Sequence, residues 1–445
     1  MQATLDKLLS QAQQAVQNNQ EKAIQLYLQA LEQQPDRQQT ELIYLNIALI
    51  YGQQQQLDAA LPYFQKVIEY NDKNSIAHSG IGQILHRREQ LEQALKHYQQ
   101  ALNHDPSSHN FLLAAKTLHR LGRYQQAMLC YKQAAKINPH SPELNFSVSL
   151  LQLLHGNYAE GWQRYEARWQ LPERGFILPI THRPRWQGED ISQKTLLINH
   201  EQGFGDTIQF LRYIPLIKAK KVILKCHAPL MTLLEQSLSH LPVEPIEANA
   251  PVLDSFDYFT PLASLPLIFK TQVDTIPHNI PYLQANSAKI QHWKTQLATD
   301  KMNIGIVWSG NPQHVNDANR SCPLTYFLQL TQHPAVKLHS LQKGKIELTA
   351  DMPIQDCSQQ LHDFSDTAAL IMALDLIITV DTAVAHLAGA LGQKTWVLLP
   401  YVPDWRWLLH RQDSPWYPTA TLFRQAKIKD WAGVFEQLQH ELKQI

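Results

Sequence analysis

Four stretches in the first third of the chain repeat one another, and this repetition limits the possible folds more than any other feature. They are QEKAIQLYLQALEQQP from Gln20, LDAALPYFQKVIEYND from Leu57, LEQALKHYQQALNHDP from Leu91 and YQQAMLCYKQAAKINP from Tyr124, with a period of about 34 residues. In each, a small residue (Ala23, Ala60, Ala94, Ala127) stands one helical turn before an aromatic (Tyr27, Phe64, Tyr98, Tyr131), and another small or branched residue follows. Pro35, Pro106 and Pro139 end three of the copies, with Asp72 at the equivalent place in the other. A unit this short cannot bury its apolar face alone, so the copies must stack. A fifth, degenerate copy, NYAEGWQRYEARWQ from Asn157, puts Gly161 and Tyr165 at the matching sites; its extra Trp162 and Trp169 suit a last repeat packing onto another domain.

Small residues where paired helices touch, at this period, resemble tetratricopeptide repeats, and residues 1–175 are read as such an array. The resemblance implies a protein-binding module with an extended peptide on its concave face; the alternative is an array that only dimerises or scaffolds. The many glutamines sit within helical periodicity and do not mark a disordered tract.

A chain of 445 residues is long for one core, so two or three domains are expected. Lysine plus arginine and aspartate plus glutamate both count 39, leaving no net field toward nucleic acid or an anionic membrane. Cys130, Cys226, Cys322 and Cys357 are scattered, without the close pairs of zinc or thioredoxin-like sites, and read as small buried residues. The N-terminus lacks a signal-peptide core and no apolar run reaches membrane-spanning length, so a cytoplasmic protein without a transmembrane segment is expected.

Leu171 to Asp190, with Pro172, Pro179 and Pro184, cannot be one helix and reads as linker, assigned to residues 176–194. Beyond it the pattern changes. Thr195–Asn199 is a short apolar strand, HEQGFGD a glycine-bearing turn, Thr207–Lys218 a helix and Lys221–Lys225 the next strand, which is a βαβ unit. A second series runs from a strand at Asn303–Trp308 through the polar loop SGNPQHVNDANRS, a helix from Leu324, a strand at Val336–Leu341, a helix at Asp366–Leu374 and a strand at Thr395–Leu399. The break around Asn279–Thr299 separates two consecutive parallel-sheet domains, residues 195–299 and 300–425, with residues 426–445 as a C-terminal helix packing back on the core. The fold class is thus α plus α/β, with a ligand expected at the carboxyl ends of the strands.

Within the second series, IITVDTAVAHLAGALG, Ile377 to Gly392, runs from an apolar strand through Asp381-Thr382 into a small-residue helix. Free amides and the positive end of the helix dipole at such a mouth can hold a diphosphate. Thr382, Ala383, Val384 and Ala385 leave the backbone approachable, and His386 lies on the face of Thr382. The other reading is that Asp381 or Thr382 merely caps a core helix.

HEQGFGDTIQF, VWSGNPQHVNDANRS, SLQKG, DTAALIMALDLIITVDTAVAHLAGALG and PDWRWLLHRQDSPWYPT together resemble the bacterial tetratricopeptide proteins that carry a glycosyltransferase domain similar to the lipopolysaccharide heptosyltransferases, over Trp162 to Gln425. The resemblance implies a GT-B fold of two Rossmann-like domains after the repeats, a nucleotide sugar held mainly by the second, and inverting transfer with no metal or other cofactor. It assigns Asp206 as the general base; a helix N-cap is the structural alternative. It assigns Asp381, Thr382 and the Ala383 amide to the donor diphosphate, with alanine where many heptosyltransferases have glycine.

Lys343 and Arg320, near strand ends, are further diphosphate candidates, although isolated charges of this kind are commonly solvated. Gly203, Gly205, Ser309, Asn311, His314, Asn316 and His386 are candidates for donor or acceptor sugar, with Asp317 beside them, or else the polar loop caps its own turns. Trp405, Trp407, Trp416 and Tyr417 cluster with Asp404, Arg406 and Asp413; stacking on sugars or bases is one use, and packing against the final helix is the favoured one. His200, beside Glu201, either orients an acceptor or is structural. No Asp-x-Asp motif occurs, and the first turn lacks the third glycine of a dinucleotide fingerprint, which disfavours a nicotinamide enzyme. The expected partners are a nucleotide sugar and a protein partner or acceptor on the array, not nucleic acid. The alternatives are an inactive repeat scaffold and an envelope-polysaccharide transferase with a glycolipid acceptor.

Overall fold

The computed structural model describes residues 2–172, 175, 178, 181–252, 255–314, 316–344, 348–349 and 351–444. The chain divides into two compact units, Met1–Val148 and Ser149–Ile445. Among the described residues no helix is long and apolar enough to cross a membrane.

The first unit is helical: α1 (Gln2–Asn18), α2 (Gln20–Glu32), α3 (Arg37–Gln53), α4 (Leu57–Tyr70), α5 (Ser75–Arg87), α6 (Leu91–His104), α7 (Ser108–Arg120) and α8 (Tyr124–Ile137), followed by α9 (Pro142–Leu154), which passes the division. Successive helices pack as hairpins, α1 with α2, α3 with α4, α5 with α6 and α7 with α8. The repeated small residues are the reason: Ala23, Ala60, Ala94 and Ala127 are fully buried, with Tyr27, Phe64, Tyr98 and Tyr131 buried one turn on. Gly82 is packed so tightly that an added Cβ would stand 2.6 Å from Cε1 of Tyr98. Asp36 closes a capping box with Gln39, while Asn74 and Ser107 accept from the amides of Ala77 and Asn110, so α3, α5 and α7 each begin where the sequence supplies an oxygen. Gln55, Glu89 and Gly122 have positive φ and turn the chain from α3 to α4, from α5 to α6 and from α7 to α8.

The array was expected to reach residue 175, but the division falls after Val148. Helix α10 (Tyr158–Tyr165), read as the fifth copy, and the 3-10 turn Glu166–Gln170 belong to the second unit. Aromatic packing accounts for this: the Trp162 indole donates to the Thr271 carbonyl at 3.2 Å, and the Trp416 indole donates to the Tyr158 hydroxyl at 3.0 Å. Of the linker, Pro179 lies outside the described residues, whereas the Trp186 amide already donates to the Phe259 carbonyl at 2.8 Å.

Two parallel sheets follow, as two separate sheets rather than one. The first comprises β1 (Ile191–Asn199), β2 (Ala219–Cys226), β3 (Val243–Glu247) and β4 (Tyr258–Pro261) in the order β3-β2-β1-β4. Its helices are α11 (Phe204–Phe210), α12 (Met231–Leu238), α13 (Leu265–Ile268) and, past the sheet, α14 (Ser287–Lys294). Helix α11 was expected over Thr207–Lys218; it starts earlier, and the chain passes into a 3-10 turn, Leu211–Leu216, containing Pro215.

The second sheet comprises β5 (Met302–Val307), β6 (Val336–Ser340), β7 (Ile354–Asp356), β8 (Leu376–Val380), β9 (Thr395–Leu399) and β10 (Ala420–Arg424), in the order β10-β9-β8-β5-β6-β7. All its pairings are parallel. Helices α15 (Asp317–Arg320), α16 (Leu324–Leu328), α17 (Phe364–Ala373), α18 (Ala383–Ala390) and α19 (Trp431–Leu442) complete it. This is the strand order of a doubly wound sheet, whose direction reverses between β5 and β8. Trp431, Phe435, Leu438 and Leu442 of α19 are buried in the core with Phe327 and Trp396, as their spacing predicts.

Candidate functional site

At the reversal point of the second sheet, the loops after β5 and β8 leave the carboxyl ends of adjacent strands. Thr382 precedes α18 in extended backbone, φ −139 and ψ 174, and places no side-chain cap on it; its hydroxyl meets that of Thr379 at 3.1 Å. The Ala383 and Val384 amides at the start of α18 have no intrahelical acceptor by helix geometry and lie beside the positive end of the dipole, whereas the Ala385 amide donates to the Thr382 carbonyl at 3.0 Å. Thr382, Ala383 and Val384 are half-buried, and from Ala385 onward the helix is buried. Arg320 ends α15 in the facing loop, where its Nη1 donates to the Asp381 carbonyl at 3.1 Å and its Nε to Asp317 Oδ1 at 3.3 Å. Arg320 thus stands at the mouth of α18.

The Asp381 side chain points into buried surroundings. Burial and the neighbouring Asp404 carboxylate push its carboxyl up to about 6, against the opposing pull of the Trp407 side chain, Arg320 and Arg406. His386 was expected to face a sugar; instead it is 5% exposed, bonds Tyr417 Oη through Nδ1 at 2.9 Å and stacks on Trp407. Burial, then the guanidiniums of Arg406, Arg212 and Arg320, hold its pKa well below the ordinary histidine value, so it is a neutral core residue. An amphipathic reading of so short a helix missed this because Tyr417 and Trp407 arrive from a distant loop.

The other sheet contributes the turn after β1. Asp206 lies in the first turn of α11, where Oδ2 accepts from the Gly203 amide at 2.9 Å and Oδ1 is paired with Arg406 Nη2. Both the capping role and an outward-facing position are therefore present: the Asp206 side chain is 24% exposed. Arg406 crosses from the loop after β9, donating through Nε to Gln209 Oε1 at 2.5 Å and through Nη1 to Asp404 Oδ1 at 2.8 Å. Gly205 was a sugar candidate, but it is a close-packing position: an added Cβ would stand 2.7 Å from His386 Cδ2 and 3.5 Å from the Ala383 Cα. Gly203 is exposed and its amide serves Asp206. The starts of α11 and α18 are thus brought together, and with them Asp206, Arg406, Asp381 and Arg320.

The remaining candidates divide differently. Lys343 Nζ donates to the carbonyls of Ser358 and Leu361 at 3.0 and 2.8 Å, so the ammonium expected on a diphosphate is committed to its own neighbouring turn. In the polar loop, Ser309 is held at both its amide and its carbonyl by Gln342, Asn311 accepts from the Gln313 amide at 3.0 Å, and the Asn316 amide donates to His314 Nδ1 at 3.2 Å. These contacts match the self-capping alternative. Asn311 and His314 remain exposed.

Trp405, Trp407, Trp416 and Tyr417 are buried, but not against the final helix as favoured. Trp405 and Trp416 pack on Trp162, Tyr158 and Phe210, and Trp407 packs on His386. Glu201 is bound by Arg168, while His200 faces His227 with ring centroids 4.1 Å apart. Sequence reasoning named Arg406 only as one charge in an aromatic cluster and did not foresee Gln209; no local pattern signals a contact between residues about 200 positions apart. Among the described residues, no group of three or more His, Cys, Asp or Glu side chains is arranged to hold a metal ion.

Comparison with known proteins identifies the class of the N-terminal region. Models of the tetratricopeptide repeat match residues 39–107 and 109–141, so this region is a tetratricopeptide-repeat array. Protein FlbA of Caulobacter vibrioides is 26% identical over 336 residues, 67% of this chain and 54% of FlbA. The chain thus spans about half the length of that curated relative. Among solved structures, a tetratricopeptide repeat protein from Parabacteroides merdae is 18% identical with a TM-score of 0.35, covering 39% of this chain and 69% of that one. MamA is 14% identical with a TM-score of 0.34, covering 41% and 100%. YrrB, described as a repeat protein with an unusual peptide-binding site, is 20% identical with a TM-score of 0.28, covering 32% and 73%. In the array of the present chain, a groove of 440 Å³ runs past Leu49, Ile76, Gly80, Gln83, Arg87 and Asn110.

Proposed function

We propose that the second unit is an inverting, metal-independent glycosyltransferase of GT-B type that moves a sugar from a nucleotide-diphosphate donor to an acceptor hydroxyl, in the cytoplasm, while the repeats recruit a protein acceptor or partner. The observation that carries this reading is the meeting of Asp206, on the turn after β1, with the half-buried first turn of α18 and its neighbour Arg320. The acceptor oxygen attacks the anomeric carbon as the bond to the nucleoside diphosphate breaks, and the hydroxyl proton passes to Asp206. Both Asp206 oxygens have a protein donor, yet each retains a second lone pair for that proton. Negative charge gathering on the departing diphosphate falls to the Ala383 and Val384 amides, the helix dipole and Arg320.

The groove on the array, with Leu49 and Ile76 among the exposed apolar side chains, supports the recruitment half of the reading. The test pairs binding with turnover. Full-length protein is titrated with a panel of nucleotide sugars by thermal shift, and the one that raises the melting point is used for transfer or hydrolysis assays. Asp206→Asn keeps donor binding and abolishes turnover; full turnover in that variant would refute the base role. Absence of any binding nucleotide sugar would leave the scaffold reading in its place.

A further inference from the structure

The turn that carries Asp206 is gripped by a segment outside both sheets. Arg168, 0% exposed, donates from Nε to Glu201 Oε2 at 2.7 Å and from Nη2 to Glu201 Oε1 at 3.1 Å. Its other N–H groups reach Ser264 Oγ at 2.8 Å, Glu166 Oε1 at 2.8 Å and the Tyr165 carbonyl at 3.1 Å. Glu201 also accepts from the Ala263 amide at 2.9 Å, and the next residue, Gln202, donates to the Tyr165 hydroxyl at 2.7 Å. The same helical segment touches the opposite wall of the site. Trp162 meets Trp405 edge to face at 5.2 Å, and Tyr158 accepts from Trp416, so both ends of the loop bearing Arg406 rest on it.

We infer that Tyr158–Gln170, though patterned as a last repeat, is part of the frame of the site, and that Arg168 is the positioning residue which sets where Asp206 stands by fixing Glu201. A fully buried guanidinium is tolerated only with its donors and charge satisfied, and its planar fork dictates the plane of the carboxylate it grips. Glu201 and Gln202 are thereby fixed at the start of a turn whose other end is fixed by the Gly203–Asp206 and Asp206–Arg406 contacts. A lysine at 168 keeps the charge and loses the fork. The chemical consequence rests on the reading of Asp206 as the base; the geometric one does not.

The test uses the full chain. In Arg168→Lys, backbone hydrogen exchange across residues 202–207 rises at least tenfold while β8 and α18 stay within twofold of wild type. Tyr165→Phe, which removes the Gln202 bond and leaves no buried charge unpaired, gives the same pattern more weakly and serves if Arg168→Lys does not fold. Unchanged exchange across 202–207 in the folded variant overturns the inference. With a donor in hand, Arg168→Lys lowers kcat at least tenfold with the donor KM within twofold; an unchanged kcat with a raised KM also overturns it. If Asp206→Asn alone keeps full turnover, the base assignment fails and the exchange result still decides the positioning.

Discussion

Arg406→Met is the most informative single perturbation, because one side chain joins the two walls of the site. The Arg406 side chain is 9% exposed and pairs with Asp206 and Asp404, which are 24% and 35% exposed, besides bonding Gln209. Removing one partner of a buried pair costs about 3–5 kcal/mol when the abandoned charge stays dry. Here water reaches both carboxylates in part, so the expected loss is at the lower end, about 3 kcal/mol. All 10 tryptophans of the chain follow Val148, so tryptophan fluorescence follows the second unit alone during urea unfolding. With a slope of about 3 kcal/mol/M, the urea midpoint falls by about 1 M. Adding Asp206→Asn to Arg406→Met removes one stranded charge and recovers part of that loss. A midpoint unchanged in the single variant, or lowered further in the double, would refute the view of Arg406 as a buried inter-sheet clamp.

Three further outcomes are expected. Arg320→Ala weakens donor binding about tenfold in calorimetry, whereas Lys343→Ala, its ammonium occupied by carbonyls, leaves affinity within about twofold; equal losses would return Lys343 to the diphosphate. Burial and the Asp404 carboxylate push the Asp381 carboxyl up to about 6 from an ordinary 3.8, so it binds its proton more tightly when folded: it adds no penalty below pH 4, a growing one between pH 4 and 6, and a constant one above the folded pKa. Asp381→Asn therefore gains stability relative to wild type between pH 4 and 7, read as a widening gap in urea midpoints, and a constant gap would contradict the burial of that carboxylate. In the array, Gln34 is exposed with φ 55, so Gln34→Gly raises stability by about 0.5–1 kcal/mol, measured by circular dichroism during unfolding; a loss would show that the side chain contributes packing.

The parts legible without coordinates were those encoded by near neighbours. An alanine one turn before an aromatic, repeated at a constant period, specifies both the helix and the face that must be covered, and those residues are the buried ones. Continuous apolar runs such as Leu376–Val380 and Thr395–Leu399 mark interior parallel strands, and Asp381-Thr382 at the end of one marks a helix mouth. Which surface covers which face is a different kind of information. The fifth repeat has a repeat's periodicity, yet Trp162 and Tyr158 meet Trp405 and Trp416 some 250 positions away, and that packing assigns the segment to the second unit. His386 lies on the face of Thr382 by spacing, but Tyr417 and Trp407 close over it; Lys343 stands at a strand end, but two carbonyls take its charge. Sequence alone determined the repeats, the principal strands and helices in their order, and the two short motifs at the turns. Tertiary structure decided which charges meet, because burial and pairing depend on groups that only folding brings within hydrogen-bond reach.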